Sequence, residues 1–212
     1  MKRTNTIAIV GGGRLSKEFI IQISNADYVI GVDRGAYWLI TNGIVPDIAI
    51  GDFDSVTKKE LALIKKSVKH IELHPADKDF TDMELAVAYA VKQKPVEVVI
   101  YGGSGTRADH TLGTLHLLEH FLNAGIAARL VDEHNDVRLV SGKQVAQKGT
   151  FRYISILPFS QSATVSLTGF LYEVSRLSLT RGQTRGISNE FAADVATIEV
   201  HEGIVWVIQS SD

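Results

Sequence analysis

From Thr6 to Asp132 short apolar runs alternate with amphipathic helical stretches, and beyond His134 that rhythm stops. A repeated strand-then-helix pattern buries its near-continuous Val and Ile runs only in a parallel sheet with helices on both faces. The runs predict strands at Thr6 to Val10, Tyr28 to Val32, Asp47 to Ile50, Val68 to Leu73, Val96 to Tyr101 and Ala127 to Val131, with helices after the first five. Past His134 the segments Arg152 to Leu157, Thr164 to Thr168, Arg176 to Leu179, Asp194 to Val200 and Val205 to Ile208 alternate in polarity between Gly and Ser, which is antiparallel β texture. The expectation is an α/β chain. Residues 1–132 would form a mostly parallel, doubly wound sheet, and residues 133–212 a smaller antiparallel β-sandwich. No repeat, low-complexity tract or Pro-rich linker separates the halves.

Composition narrows the function classes. At 212 residues and 45% hydrophobic content the chain is long enough for one large core or two modest ones. A net charge of -2 and no block of like charges give no field to hold a nucleic-acid backbone, so no nucleic-acid partner is expected. The apolar run Ile7 to Val10 is too short for a signal segment, and no stretch approaches a membrane span. A cytoplasmic protein with no membrane partner is the expectation. Cysteine is absent, which removes disulfides, thiolate metal sites and a cysteine nucleophile.

Aspartates follow the expected strands throughout the first half. They stand in Val32-Asp33-Arg34-Gly35, Gly51-Asp52-Phe53-Asp54-Ser55, Asp77-Lys78-Asp79-Phe80-Thr81-Asp82 and Gly105-Thr106-Arg107-Ala108-Asp109-His110. In open α/β sheets ligands bind beyond the carboxyl ends of strands, and every cluster falls at such an end. One Asp after a strand reads as a turn or helix cap, but several on one rim repel each other unless a cation or proton sits among them. Oxygen-only ligands favour Mg²⁺, Mn²⁺ or Ca²⁺ over zinc. A Mg²⁺ and polyphosphate site is the resulting expectation. In Asp52-Phe53-Asp54 an extended chain would turn both carboxylates to the same side. Ser55 is either a further oxygen ligand or a cap. Thr81 and Glu84 fit a capping box, so a helix should begin there, leaving Asp82 in its first turn and Asp79 just outside as the more exposed ligand candidate.

Other motifs compete. Gly11-Gly12-Gly13-Arg14-Leu15-Ser16 with Asp33, and Gly103-Ser104-Gly105-Thr106-Arg107-Ala108 with Asp132, both approximate the dinucleotide fingerprint. A nicotinamide-dependent oxidoreductase would use these loops but leave Asp52, Asp54, Asp79 and Asp82 without a task. His116-Leu117-Leu118-Glu119-His120 matches a zinc-peptidase pattern, yet Leu112, Leu115, Leu118 and Leu122 make an ordinary core stripe that leaves the histidines on the polar flank. His110, at the start of the fifth helix, either contacts phosphate or orients its loop. A non-catalytic sensor of nucleotide or vitamin remains the binding-module alternative.

Taken together, the Gly51 to Ser55 segment, the Asp77 to Asp82 segment, the glycine loop ending Arg107-Ala108-Asp109-His110 and Ser188-Asn189 resemble the thiamine pyrophosphokinase family, in order and over nearly the whole chain. The resemblance implies transfer of an intact diphosphate from ATP to the hydroxyl of thiamine, with AMP released. It implies Mg²⁺ as cofactor and a homodimer with active sites between subunits. Asp52, Asp54, Asp79 and Asp82 carry over as the Mg²⁺ and diphosphate group, and Asp82, Arg107 and Asp109 as the catalytic neighbours. Gly12, Gly13, Asp33, Arg34, Gly103, Gly105 and His110 would form the nucleotide rim, with Ser188 and Asn189 at thiamine. Asp82 and Asp109 are both candidates to accept the hydroxyl proton. Tyr172, Phe191 and Trp206 are candidate packing partners for the thiamine rings, the core being the better place for Trp206.

Overall fold

A computed structural model describes residues 5–75, 77 and 79–212; Lys78, part of the acidic motif, lies outside them. The chain divides into two compact units, Met1–Asp132 and Glu133–Asp212.

The first unit is built on the apolar runs. Strands β1 (Thr6–Val10), β2 (Tyr28–Val32), β3 (Ile48–Gly51), β4 (His70–Leu73), β5 (Glu97–Tyr101) and β6 (Ala127–Val131) pair in parallel in the order β6-β5-β1-β2-β3-β4. Between them run α1 (Ile20–Ser24), α2 (Arg34–Thr41), α3 (Lys58–Ser67), α4 (Asp82–Gln93) and α5 (Ala108–Asn123), with a 3₁₀ turn at Lys17–Phe19 before α1. Alternate residues leave opposite faces of a strand. Ala8, Val10, Val29, Val99 and Tyr101 accordingly pack with Ile23 of α1 and Leu39 of α2, while Ile7 and Ile9 are fully buried on the other side. Both faces are covered. Strand order reverses at β1, with β2 on one side and β5 on the other, and in open α/β sheets ligands bind beyond the carboxyl ends of strands near such a reversal.

Helix starts were written in the caps. Thr57 and Glu60 close a reciprocal capping box at α3, and the Thr81 hydroxyl accepts from the Glu84 amide at 3.2 Å to open α4 at Asp82. The expected core stripe of α5 is displaced: Thr114, Leu118 and Phe121 are its buried residues, whereas Leu112 is 58% exposed. A leucine count places the stripe wrongly there because a threonine, bonding back to the His110 carbonyl at 2.9 Å, fills one core position.

The second unit is an antiparallel β structure around two long bent strands, β7 (Asn135–Gln147) and β12 (Val195–Ser210). Their pairing shifts register between Val200 and Val205, opposite Gly142 at φ 74°. On one side of the shift β12 pairs with β9 (Ser162–Thr168), which pairs with β10 (Val174–Thr180); on the other it pairs with β8 (Tyr153–Pro158), which carries β11 (Asn189–Glu190). A shared strand that bends and changes partner is how one chain makes two packed sheets. Ile154, Ile156, Val165, Leu167, Leu179, Ile198 and Val205 fill the space between. Sequence reading missed β7 entirely, because its Asn-Asp start and central Ser-Gly imitate turns, and it read β12 as two strands. Among the described residues no helix is long and apolar enough to cross a membrane.

Candidate active site

The ends of β2 and β3 lie side by side, Val32 opposite Ile50, and the Asp33 amide donates to the Ile50 carbonyl at 3.1 Å. Asp33 therefore leaves the sheet next to Asp52. Asp33 itself sits at φ 46°, a backbone strain typical of functional positions, and its Oδ1 accepts from the Phe53 amide at 3.1 Å. Gly51 makes room for it, since a Cβ at Gly51 would collide with Asp33 Oδ1. Asp82, at the first position of α4, brings the third carboxylate. The half-buried side chains of Asp33, Asp52 and Asp82 each offer an oxygen within 4.8 Å of the other two.

Three like charges that close, partly withdrawn from water, cannot all stay ionised cheaply. Burial first, then the charge of Asp82, and more weakly those of Asp52 and Asp54, push Asp33 up to about 7; the Phe53 amide pulls the other way. A proton or a cation relieves the same repulsion. An all-carboxylate donor set of this size fits a hard divalent ion.

The expected pairing of Asp52 with Asp54 takes a different form. Phe53 adopts φ 59° and is buried at 3% exposure, so the segment turns instead of running extended. Asp54 is exposed, and its amide donates to Asp52 Oδ1 at 2.9 Å. Asp79 is exposed ahead of the α4 cap and is not one of the three converging groups. Asp33, expected at the nucleotide rim, stands inside the acidic cluster. Arg34 follows it, exposed, at the start of α2.

The glycine loops grip each other. Amides of Gly11, Gly13 and Arg14 donate to the carbonyls of Tyr101, Gly102 and Ser104 at 2.8, 2.9 and 2.7 Å. A Cβ on Gly13 would strike two of those carbonyls, so the glycine serves loop-to-loop contact. These three amides are spent on the neighbouring loop, which takes them from the pyrophosphate that the dinucleotide reading would place there. Gly12 remains exposed on the loop, Gly103 is buried among Ile100, Thr114 and Leu130, and the Gly105 amide is taken by the Thr111 hydroxyl at 3.1 Å. Ser104 donates its hydroxyl to the buried Asp132 at 2.7 Å, which anchors the loop from behind.

At the start of α5, Arg107 and Asp109 form a two-pronged ion pair, Nε to Oδ1 at 3.2 Å and Nη2 to Oδ2 at 2.6 Å, with the His110 amide adding a bond of 2.9 Å to Oδ1. The Arg107 guanidinium, then the His110 amide, hold the exposed Asp109 carboxyl down to about 2. Asp109 is a poor proton acceptor there. His116 and His120 are exposed along α5, and the described residues form no metal-binding group around them.

In the second unit, Ser188 sits exposed at φ 60° with its amide donating to the hydroxyl of buried Ser155 at 3.1 Å. Asn189 is buried and bonds the main chain of Tyr172, a residue 65% exposed. Phe191 is buried against Phe170, and Trp206 is half-buried with its ring edge-on to Phe159 at 5.2 Å, outside the core set expected for it. Neither Ser155 nor the Asn189 contact was legible in the sequence, where both are ordinary polar residues on short strands. A concavity of about 450 Å³ in the second unit is lined by residues that include Asp136, Arg138, Gln144 and Gln209 but not Ser188, Asn189, Tyr172, Phe191 or Trp206; its Arg138 guanidinium is already paired with Asp136 at 2.8 Å.

Comparison with known proteins agrees with the two units. Residues 21–130 match the family model for the thiamin pyrophosphokinase catalytic domain, and residues 143–205 match that for the thiamin pyrophosphokinase vitamin B1 binding domain. The chain is 36% identical over 212 residues to thiamine pyrophosphokinase of Bacillus subtilis, covering 98% of this chain and 99% of that one. Thiamin pyrophosphokinase 1 of Caenorhabditis elegans is 30% identical over 175 residues, covering 77% of this chain and 70% of the other. The crystal structure of the Bacillus subtilis thiamine pyrophosphokinase superposes with a TM-score of 0.90 at 35% identity, covering 98% of this chain and 100% of that one. The chain belongs to the thiamine pyrophosphokinase family.

Proposed function

We propose that this chain transfers the diphosphate of ATP to the hydroxyl of thiamine, giving thiamine diphosphate and AMP. The observation that carries the reading is the convergence of Asp33, Asp52 and Asp82 at one strand rim, in a chain whose halves match catalytic and vitamin-binding models. These three carboxylates would hold Mg²⁺, with Asp54 and Asp79 close by on the same rim. When bound, the ion supplies charge neutralisation on the phosphate oxygens.

The chain's own residues do the rest. In-line displacement at the β-phosphorus demands positioning and charge stabilisation more than covalent chemistry. Arg107 is oriented by its fork to Asp109, which occupies part of a five-donor guanidinium and leaves the others for phosphate oxygens. Asp109 then acts as the orienting group, and of the two proton-acceptor candidates Asp82 is retained. Arg34, Gly12 and His110 are exposed members of the proposed nucleotide rim; Gly13 and Gly105, whose amides bond within and between the loops, shape it. Ser188 and Tyr172 present a hydroxyl and a ring for thiamine. Family membership supports a homodimer and a cytoplasmic enzyme; light scattering and cell fractionation check these.

Incubating the protein with ATP, Mg²⁺ and thiamine, followed by ³¹P NMR, tests the reaction. Thiamine-dependent AMP and thiamine diphosphate, abolished by EDTA, are expected. Formation of ADP would mean single phosphoryl transfer, and absence of turnover would favour a sensor.

A further inference from the structure

The Asn189 side chain, 5% exposed, makes three hydrogen bonds, all to main chain. Its Oδ1 accepts from the Tyr172 amide and from the Glu190 amide, each at 2.9 Å, while Nδ2 donates to the Tyr172 carbonyl at 2.9 Å. Both lone-pair sites of the oxygen are then used. The pattern imitates a rung of β-ladder, supplied by a side chain. Neighbouring bonds extend it, since the Leu171 amide donates to the Glu190 carbonyl at 2.8 Å and Phe170 bridges Phe191. Held by this lattice, Leu171 and Tyr172 nonetheless expose 58% and 65% of their surface. Satisfied main chain beneath two exposed apolar side chains is a platform, and a ring on a fixed backbone has only two torsions left to order on binding.

We propose that Asn189 is a positioning residue for the vitamin-binding half: it does not touch thiamine but fixes the Tyr172 main chain so that the ring meets the substrate's aromatic rings in one orientation. The inference rests on the thiamine-kinase reading above. Ser188 is the neighbour that faces out. Its amide is anchored on Ser155, and its left-handed backbone keeps it beside the platform. Loss of the Asn189 bonds therefore acts on thiamine binding and leaves ATP handling alone.

A double-mutant cycle on the full chain tests this, with thiamine KM, MgATP KM and kcat measured for Asn189→Ala, Tyr172→Ala and the pair. Asn189→Ala should raise thiamine KM roughly tenfold while MgATP KM and kcat stay within about twofold. Added to Tyr172→Ala it should raise thiamine KM no further, because there is no ring left to position. Additive effects would show that Asn189 acts on the substrate itself and overturn the proposal. Asn189→Asp keeps the shape and both acceptances but sets a carboxylate oxygen against the Tyr172 carbonyl in place of the donation, so a rise is expected there too. Should the alanine variant fail to fold, an unchanged thiamine KM in Asn189→Asp overturns the proposal equally. Wild-type protein that makes no thiamine diphosphate in the same assay would fell the functional reading and this inference together, whereas normal wild-type turnover with an additive cycle fells only the inference.

Discussion

The acidic rim of the first unit and the Asn189 corner of the second are both half-hidden clusters of polar groups, and they are built on opposite terms. At Asn189 the side-chain oxygen is spent on the protein's own backbone, and the cluster is complete as it stands. At Asp33, Asp52 and Asp82 like charges converge, and the compromise is visible in the raised Asp33. A cluster whose hydrogen bonds close on the protein's own main chain holds a shape; one of converging like charges favours a cation or a proton among them. That difference is why the proposed chemistry is assigned to the first unit and the proposed substrate positioning to the second.

Arg107, at the start of α5, offers the sharpest break. Arg107→Ala should cost roughly 10²- to 10³-fold in kcat if its free donors meet developing phosphate charge. Asp109→Asn, which only loosens the fork, should cost about tenfold or less. Equal losses would make Asp109 a direct participant and undo its assignment as an orienting group.

The glycine loops test whether the first unit contains satisfied clusters too. Gly13→Ala should lower stability by about 1–3 kcal/mol, read as a fall in melting temperature, because its methyl group meets the carbonyls of Gly102 and Ser104. A variant of unchanged stability but weakened ATP binding would return that loop to the nucleotide.

Proton linkage sharpens the contrast more gently. An unfolded aspartate titrates near 4, whereas Asp33 in the fold is pushed up to about 7, so between those values the folded protein carries a proton that the unfolded chain has lost. Stability without divalent ions should therefore fall as pH rises through that window. Mg²⁺ should restore it at the upper end, and Asp33→Asn should flatten the dependence. Melting curves from pH 4 to 8, with and without Mg²⁺, check the sign.

Much of the first unit could be read in advance because its strands are apolar runs with clear ends; β1, β2 and β6 begin and end where the runs do. The rim of aspartates followed from those ends. Which aspartates meet did not, because that depends on Val32 lying beside Ile50 and on the turn that Phe53 makes at φ 59°. Alternation along an extended segment was the wrong local geometry for Asp52 and Asp54. In the second unit β7 was hidden by polar ends and a central glycine, and with it the bend that shapes the unit. The Asn189 bonds depend on β11 pairing with β8 and on the return of residues 169–173, contacts that no local pattern encodes.

The most direct test of the account is the Mg²⁺ dependence of thiamine-dependent AMP formation in wild type and Asp52→Asn, with folding of both confirmed by melting. The account predicts saturable Mg²⁺ activation in the wild type, and in Asp52→Asn a rate lower by roughly 10²-fold or more with activation shifted to higher Mg²⁺. A folded Asp52→Asn enzyme with near-normal turnover and unaltered Mg²⁺ dependence would contradict it.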